Sequence, residues 1–155
     1  MCFKESDVLS EGESLTTVDL PWCRAGLGIC YDVRFPEYAL ALRKQGAKLL
    51  IYPGAFNMTS GPAHWSLLAR ARAVDTQAYV AMVSPARSAD PKDYQAWGHS
   101  MLVSPWAEVL LEAEHAPGVW LGEVDPAEAD RIREQVPTSK QKRGDLYRPY
   151  AEAVA

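Results

Sequence analysis

Cysteine is scarce in this chain: three in 155 residues, an odd number with no C-x-x-C pair. That excludes a disulfide framework, and with no paired-histidine spacing it excludes a structural zinc site. Positive charge is not in excess either. Sixteen Lys and Arg face twenty Asp and Glu, a net charge of −4, so no basic stripe awaits nucleic-acid phosphates. No apolar run approaches the roughly 18 residues of a membrane span. The opening residues Met1 to Glu5 lack an apolar core after a basic flank and do not read as a secretory signal. Gly26 and Gly28 begin a G-x-G, but Tyr31 takes the third position, so a dinucleotide fingerprint is excluded. The chain is therefore expected to use no metal and no cofactor, and to bind neither nucleic acid nor membrane. Reduced thiols place it in the cytoplasm, with the mitochondrion as the alternative.

What remains is an ordinary globular composition, 48% hydrophobic and 23% charged, sized for a single domain at residues 1–155. Residues 1–20 are polar and turn-rich, and then strand and helix alternate. Arg24–Cys30 reads as a strand, Phe35–Gln45 as a helix closed by Gly46, and Ala47–Tyr52 as a second strand. Strands joined by a helix of that length should be parallel. Gly61-Pro62 opens a helix to about Gln77, Tyr79–Ser84 is a third strand, and residues 85–96 are a polar excursion. Shorter strands follow at Ser100–Val103, Val109–Glu112 and Val119–Val124. Asp125-Pro126 pairs an N-cap with a first-turn proline and opens a helix to about Gln135. Residues 138–155 read as a C-terminal arm. The order predicts an α/β fold.

Chemistry concentrates at Gly26-Leu-Gly-Ile-Cys30-Tyr-Asp-Val-Arg-Phe-Pro-Glu37. A buried strand ends on a cysteine and turns at once into a helix, with Pro36 and Glu37 suited to its first turn. Helix N–H groups there favour a thiolate and could receive an oxyanion. Read alone, Cys30 is either this nucleophile or a small buried hydrophobe. A thiol is only a few per cent ionised at neutral pH, so a working Cys30 needs a base. His64 and His99 are the histidine candidates, each also readable as a packing or capping residue, and His115 lies in an acidic turn. If a substrate carried a carboxylate, Arg34, Arg87 or a residue outside this chain would have to meet it.

The GLGICYDVRFPE run resembles the nucleophile segment of the carbon–nitrogen hydrolase (nitrilase) superfamily. Further matches follow in order. Tyr52-Pro-Gly-Ala-Phe-Asn57 with Gly61-Pro-Ala-His-Trp65 is similar to the substrate loop of the omega-amidase branch. Arg70 to Val80 is similar to a helix-to-strand junction, Gly98-His-Ser100 and Ser104 to Val109 to a later strand and turn, and Gln141 to Tyr147 to the tail. The resemblance implies an incomplete α-β-β-α sandwich that lacks its first half. It implies hydrolysis of the terminal amide of short dicarboxylic acid monoamides, such as alpha-ketoglutaramate or succinamate, through a cysteine thioester with release of ammonia.

The same resemblance implies a glutamate base and an oxyanion-holding lysine well ahead of the cysteine. Only 29 residues precede Cys30, and neither has a counterpart there; Lys4 does not match. Phe3-Lys-Glu5-Ser6 is similar to a family stretch whose glutamate is a second acidic residue near the substrate, which carries over to Glu5. Catalytic roles thus fall on Cys30, the Tyr31 backbone N–H and Glu5, and substrate contacts on Phe56, Asn57 and Arg34. Turnover by this chain alone is expected to be impaired. The family implies a homodimer through the helices beginning at Phe35 and His64. Two alternatives stand: a non-catalytic fragment that associates with the full-length enzyme, and a cysteine hydrolase using His64 or His99.

Overall fold

Residues 8–146 are described by a computed structural model of the chain. Six strands form one mixed sheet in chain order: β1 (Thr16–Asp19), β2 (Arg24–Leu27), β3 (Leu49–Pro53), β4 (Tyr79–Val83), β5 (Met101–Val103) and β6 (Val109–Glu112). Only β2, β3 and β4 are parallel to their neighbours in the centre, with Gly26 opposite Leu50 and Leu50 opposite Val80. The flanking pairs are antiparallel. The parallel centre follows from the connections, because α1 (Pro36–Lys44) links β2 to β3 and α2 (Ser60–Thr76) links β3 to β4.

Period-two alternation in these strands decides which face each helix covers. Leu50, Tyr52, Val80, Met82 and Val103 point to the face under α1 and α2, where Ala39, Leu42, Trp65, Ala69 and Ala73 close the core. Leu49, Tyr79, Ala25 and Leu102 point the other way, with Ile51, Ala81, Leu111 and Val124 only partly covered. One helical layer and one sheet are present among the described residues. This is half of the expected α-β-β-α sandwich.

The third helix, α3 (Pro126–Gln135), docks at the amino ends of β3 and β4, away from the strand ends that carry Cys30. Asp125 caps it, its carboxylate accepting the Ala127 N–H at 2.9 Å. Arg133 donates to the Ala47 carbonyl at 2.9 Å, Gln77 to the Val136 carbonyl at 2.6 Å, and Lys48 pairs with Asp130 at 2.6 Å. Tyr79 completes the joint, its hydroxyl donating to Glu128 and accepting from the Asp125 N–H at 3.3 Å.

Most predicted elements are found within two or three residues, including the Gly46 stop of α1 at φ 96°. Three expectations differ. The turn-rich start holds strand β1, which pairs with β2 because Leu20 N–H and the Cys23 carbonyl close a tight reversal at 2.8 Å. The strand leading to Cys30 stops at Leu27, three residues early, although the backbone stays extended as far as Ile29 before the turn at Cys30. Val119–Val124 is not a strand, since no described strand pairs with it. Residues 119–123 are all exposed, Val119 and Leu121 at 90% and 91%, and Val124 packs on Leu102 and its neighbours. Of the predicted arm, residues 138–146 are described and contain no regular element, and the remainder lies outside the described residues.

Candidate active site

The site is built at the carboxyl ends of β2 and β3. Gly28 N–H still bonds the Ile51 carbonyl at 3.0 Å, so the chain follows the sheet past the end of β2. At Cys30 φ swings to 46°, a left-handed value uncommon outside glycine and asparagine, and Cys30–Arg34 make one 3-10 turn. Strain of this kind, of order 1–3 kcal/mol, gathers at functional sites. Asp32 holds the turn shut: its N–H donates to the Ile29 carbonyl at 2.9 Å and its carboxylate accepts the Ile29 N–H at 2.8 Å. Asp32 is thus a brace of the corner.

Two glycines make room for the turn. A Cβ at position 28 would lie 2.4 Å from Tyr52 Cε1, and one at 54 would lie 2.9 Å from Cys30 Cα and 3.4 Å from its sulfur. Tyr38 adds a hydrogen bond to the Leu27 carbonyl at 2.7 Å. Tyr52 is fully buried, and that burial pushes its phenol far above the usual range, so it remains neutral. The corner is wedged between two tyrosines and a loop. Cys30 itself is unpaired and partly exposed, so reagents can reach it.

Around the sulfur the structure brings some predicted residues together and leaves others apart. The Arg34 guanidinium lies 5.2 Å from the Tyr31 ring centre and 4.8 Å from that of Phe56, and donates to His64 Nδ1 at 3.3 Å. Its Nε is buried without a hydrogen-bond partner. Phe56 is buried, meeting Trp65 edge-on at 5.0 Å, and so serves as floor beneath Arg34. Asn57 uses its side-chain oxygen to start α2, accepting from the Thr59 and Ser60 N–H groups at 3.0 and 2.8 Å. Tyr31 is 61% exposed at the mouth. Glu5 lies outside the described residues.

Arg87 is committed elsewhere: it donates to the Ala96 and Trp97 carbonyls at 3.0 and 2.8 Å and faces the Trp97 ring. Of the two arginines, Arg34 is the one at the corner. His99 stacks on Trp97 at 4.2 Å and approaches Glu112 at 3.2 Å. Among the described residues no histidine hydrogen-bonds Cys30, and none forms a group of three or more side chains fit for a metal. No described helix is long and apolar enough to cross a membrane. A cavity of about 220 Å³ opens beyond β4, between Ser84 and Trp120, and Cys30 does not line it. Tyr94 was invisible to sequence reasoning: it sits in the polar excursion, yet its hydroxyl reaches the Ala55 carbonyl at 2.7 Å, next to Gly54.

A strained cysteine at a strand-to-helix corner, braced by an aspartate and packed against glycine, sits within residues 2–134, which match the carbon-nitrogen hydrolase family model. The chain belongs to the carbon-nitrogen hydrolase family. It is 54% identical over 145 residues to omega-amidase NIT2 of Homo sapiens, covering 94% of this chain and 52% of that protein. Omega-amidase NIT2-A of Xenopus laevis is 53% identical over the same span. The chain thus spans about half the length of the curated relatives it matches. Among solved structures, Saccharomyces cerevisiae Nit3 aligns with a TM-score of 0.83 at 47% identity, over 90% of this chain and 51% of that one. The C. elegans NitFhit protein aligns with a TM-score of 0.88 at 41% identity, over 95% of this chain and 36% of that one. A mutant amidase from Nesterenkonia sp. AN1 aligns at 0.71 and 25% identity over 94% of this chain and 52% of its own; its active-site cysteine carries the acetamide moiety of fluoroacetamide.

Proposed function

We propose that this hydrolase acts on the terminal amide of short dicarboxylic acid monoamides, with Cys30 as the nucleophile. The observation that supports this best is Cys30 itself, partly exposed and held at φ 46° where the turn begins. The Cys30 sulfur bonds to the amide carbon while the carbonyl pair moves onto oxygen. The Tyr31 N–H stabilises that oxyanion. Collapse breaks the C–N bond, the nitrogen takes the proton that the Cys30 thiol gave up and leaves as ammonia, and water then cleaves the thioester to the acid and free thiol. Arg34, with an unpartnered Nε over Phe56, binds the distal carboxylate, and Asn57 and Phe56 line the same side. Glu5 adds the second acidic group near the substrate.

Proton transfer to and from the reacting atoms is the part the matched half supplies least. The glutamate base and oxyanion lysine of the family have no counterpart ahead of Cys30, so turnover by these 155 residues alone is slower by about 10²–10⁴. Fluoroacetamide tests the nucleophile without turnover. Peptide mapping should find an acetamide adduct on Cys30 ahead of Cys23, and a Cys30 that stays unmodified would overturn the reading. Ammonia release from succinamate at the rate of a complete enzyme would overturn the impairment.

The outer face of α2 favours a homodimer, since Leu67 and Val74 recur seven residues apart and both are exposed. Phe35, ahead of α1, is exposed as well. The second reading, a fragment that associates with the full-length enzyme, is favoured by Val119 and Leu121, which are almost fully exposed on a segment that pairs with no described strand. Light scattering of the chain with and without the longer protein separates the two. The unpaired thiols of Cys23 and Cys30 suit the cytoplasm.

A further inference from the structure

The loop between β4 and β5 is not slack. Ser88 donates to Asp93 at 2.7 Å, Asp90 accepts from the Lys92 N–H at 2.9 Å, and Gln95 donates to the Asp90 carbonyl at 2.9 Å. Arg87 ties its two ends together through the Ala96 and Trp97 carbonyls. The loop then fastens to the segment after β3: Trp97 N–H bonds the Phe56 carbonyl at 2.7 Å, and Asn57 pairs with Ala96. A loop stapled within itself and bonded at one edge behaves as a fixed wall.

Tyr94 is the residue of this wall whose side chain reaches back to the segment packed on Cys30. Its side chain is 60% exposed, an unusual cost for a ring that could fold inward, while its hydroxyl donates to the Ala55 carbonyl at 2.7 Å. Ala55 follows Gly54, the residue in contact with the Cys30 backbone and sulfur. Burial of its hydroxyl end pushes the Tyr94 phenol up, and the nearby charge of Cys30 pushes it further the same way. The phenol therefore stays a neutral hydrogen-bond donor.

We infer that Tyr94 is a positioning residue that also limits what reaches Cys30. Its hydroxyl pins the Ala55 carbonyl, which keeps Gly54 against the cysteine, and its ring walls the open side of the sulfur. Compact, linear amides pass beside the ring, and branched or bulky acyl groups do not. The inference rests on Cys30 being the nucleophile, and the test separates the two.

The test compares labelling of Cys30 by iodoacetamide and by a bulky N-aryl maleimide, with Cys23 mapped in the same digest as an internal control. In Tyr94→Ala the ratio of maleimide to iodoacetamide labelling at Cys30 should rise roughly tenfold, the scale of steric selection in a pocket. In Tyr94→Phe, which keeps the ring and loses the donor, it should rise about threefold to fivefold, the weight of one hydrogen bond. The Cys23 ratio should not move in either. A Cys30 ratio in Tyr94→Phe within twofold of the parent overturns the hydroxyl role, and the same result in Tyr94→Ala overturns the wall. A Cys30 that labels no faster than Cys23 in the parent chain with iodoacetamide overturns the nucleophile instead.

Discussion

Gly54 and Cys30 are packed backbone to backbone: a Cβ on Gly54 would meet Cys30 Cα at 2.9 Å. The approach couples the strand carrying the loop to the strand carrying the sulfur, so the shape of the site depends on a hydrogen atom at position 54. Gly54→Ala should cost about 1–3 kcal/mol in stability, because backbone rather than a flexible side chain must yield. Urea unfolding measures that loss. Iodoacetamide labelling of Cys30 should slow relative to Cys23 in the same variant, and an unchanged ratio would mean the contact does not hold the sulfur.

Arg34 should draw anions to Cys30. Iodoacetate and iodoacetamide differ by one charge at nearly constant size, so their rate ratio at Cys30 reports that attraction. Arg34→Met should lower the ratio by about tenfold, which is about 1.4 kcal/mol of attraction between unit charges screened nearly as in water. Arg34→Lys should retain part of it. A ratio indifferent to both substitutions would move the distal carboxylate to another cation.

Alkaline pH should loosen the joint between Tyr79 and α3. Burial first, and the Glu128 hydrogen bond second, push the Tyr79 phenol up to about 12. The fold favours the protonated form, so this contribution is complete below the unfolded value of about 10 and is lost as pH climbs towards 12. Urea midpoints taken across that window should fall in the parent and fall less in Tyr79→Phe. Below pH 9 the variant should be weaker by about 1.5–3 kcal/mol, having lost a bond to a carboxylate. Parallel curves would show that Tyr79 does not set the slope.

Leu67→Glu places a charge on the outer face of α2, where the leucine is 63% exposed. Multi-angle light scattering should show the parent as a dimer and the variant shifted to monomer at micromolar concentration, with circular dichroism unchanged. A parent that runs as monomer at every concentration removes the helix-paired dimer.

The parts of the fold read correctly from sequence were those fixed by local chemistry. Gly46 stops α1, Asp125 and Pro126 start α3, and the apolar runs of β3 and β4 are bounded by turns, so each signal and its structure lie within a few residues. The corner at Cys30 was legible for the same reason. What escaped depended on distant partners. Strand β1 carries little apolar pattern and exists because β2 offers it a ladder. Val119–Val124 carries the pattern and lacks the ladder. Tyr94 meets Ala55 across 39 residues, and no spacing rule connects them. Arg34 and Arg87 looked equivalent until the Ala96 and Trp97 carbonyls and the Trp97 ring claimed the second.

The left-handed angle at position 30 makes sulfur chemistry and chain direction a single variable. Serine, alanine or glycine can replace the cysteine and leave the path of the backbone alone, so they isolate loss of the thiol. Threonine or valine would bring a branched Cβ to a torsion such residues avoid, and would report damage to the whole bend. Inactive versions intended as scaffolds or traps should therefore be drawn from the first group.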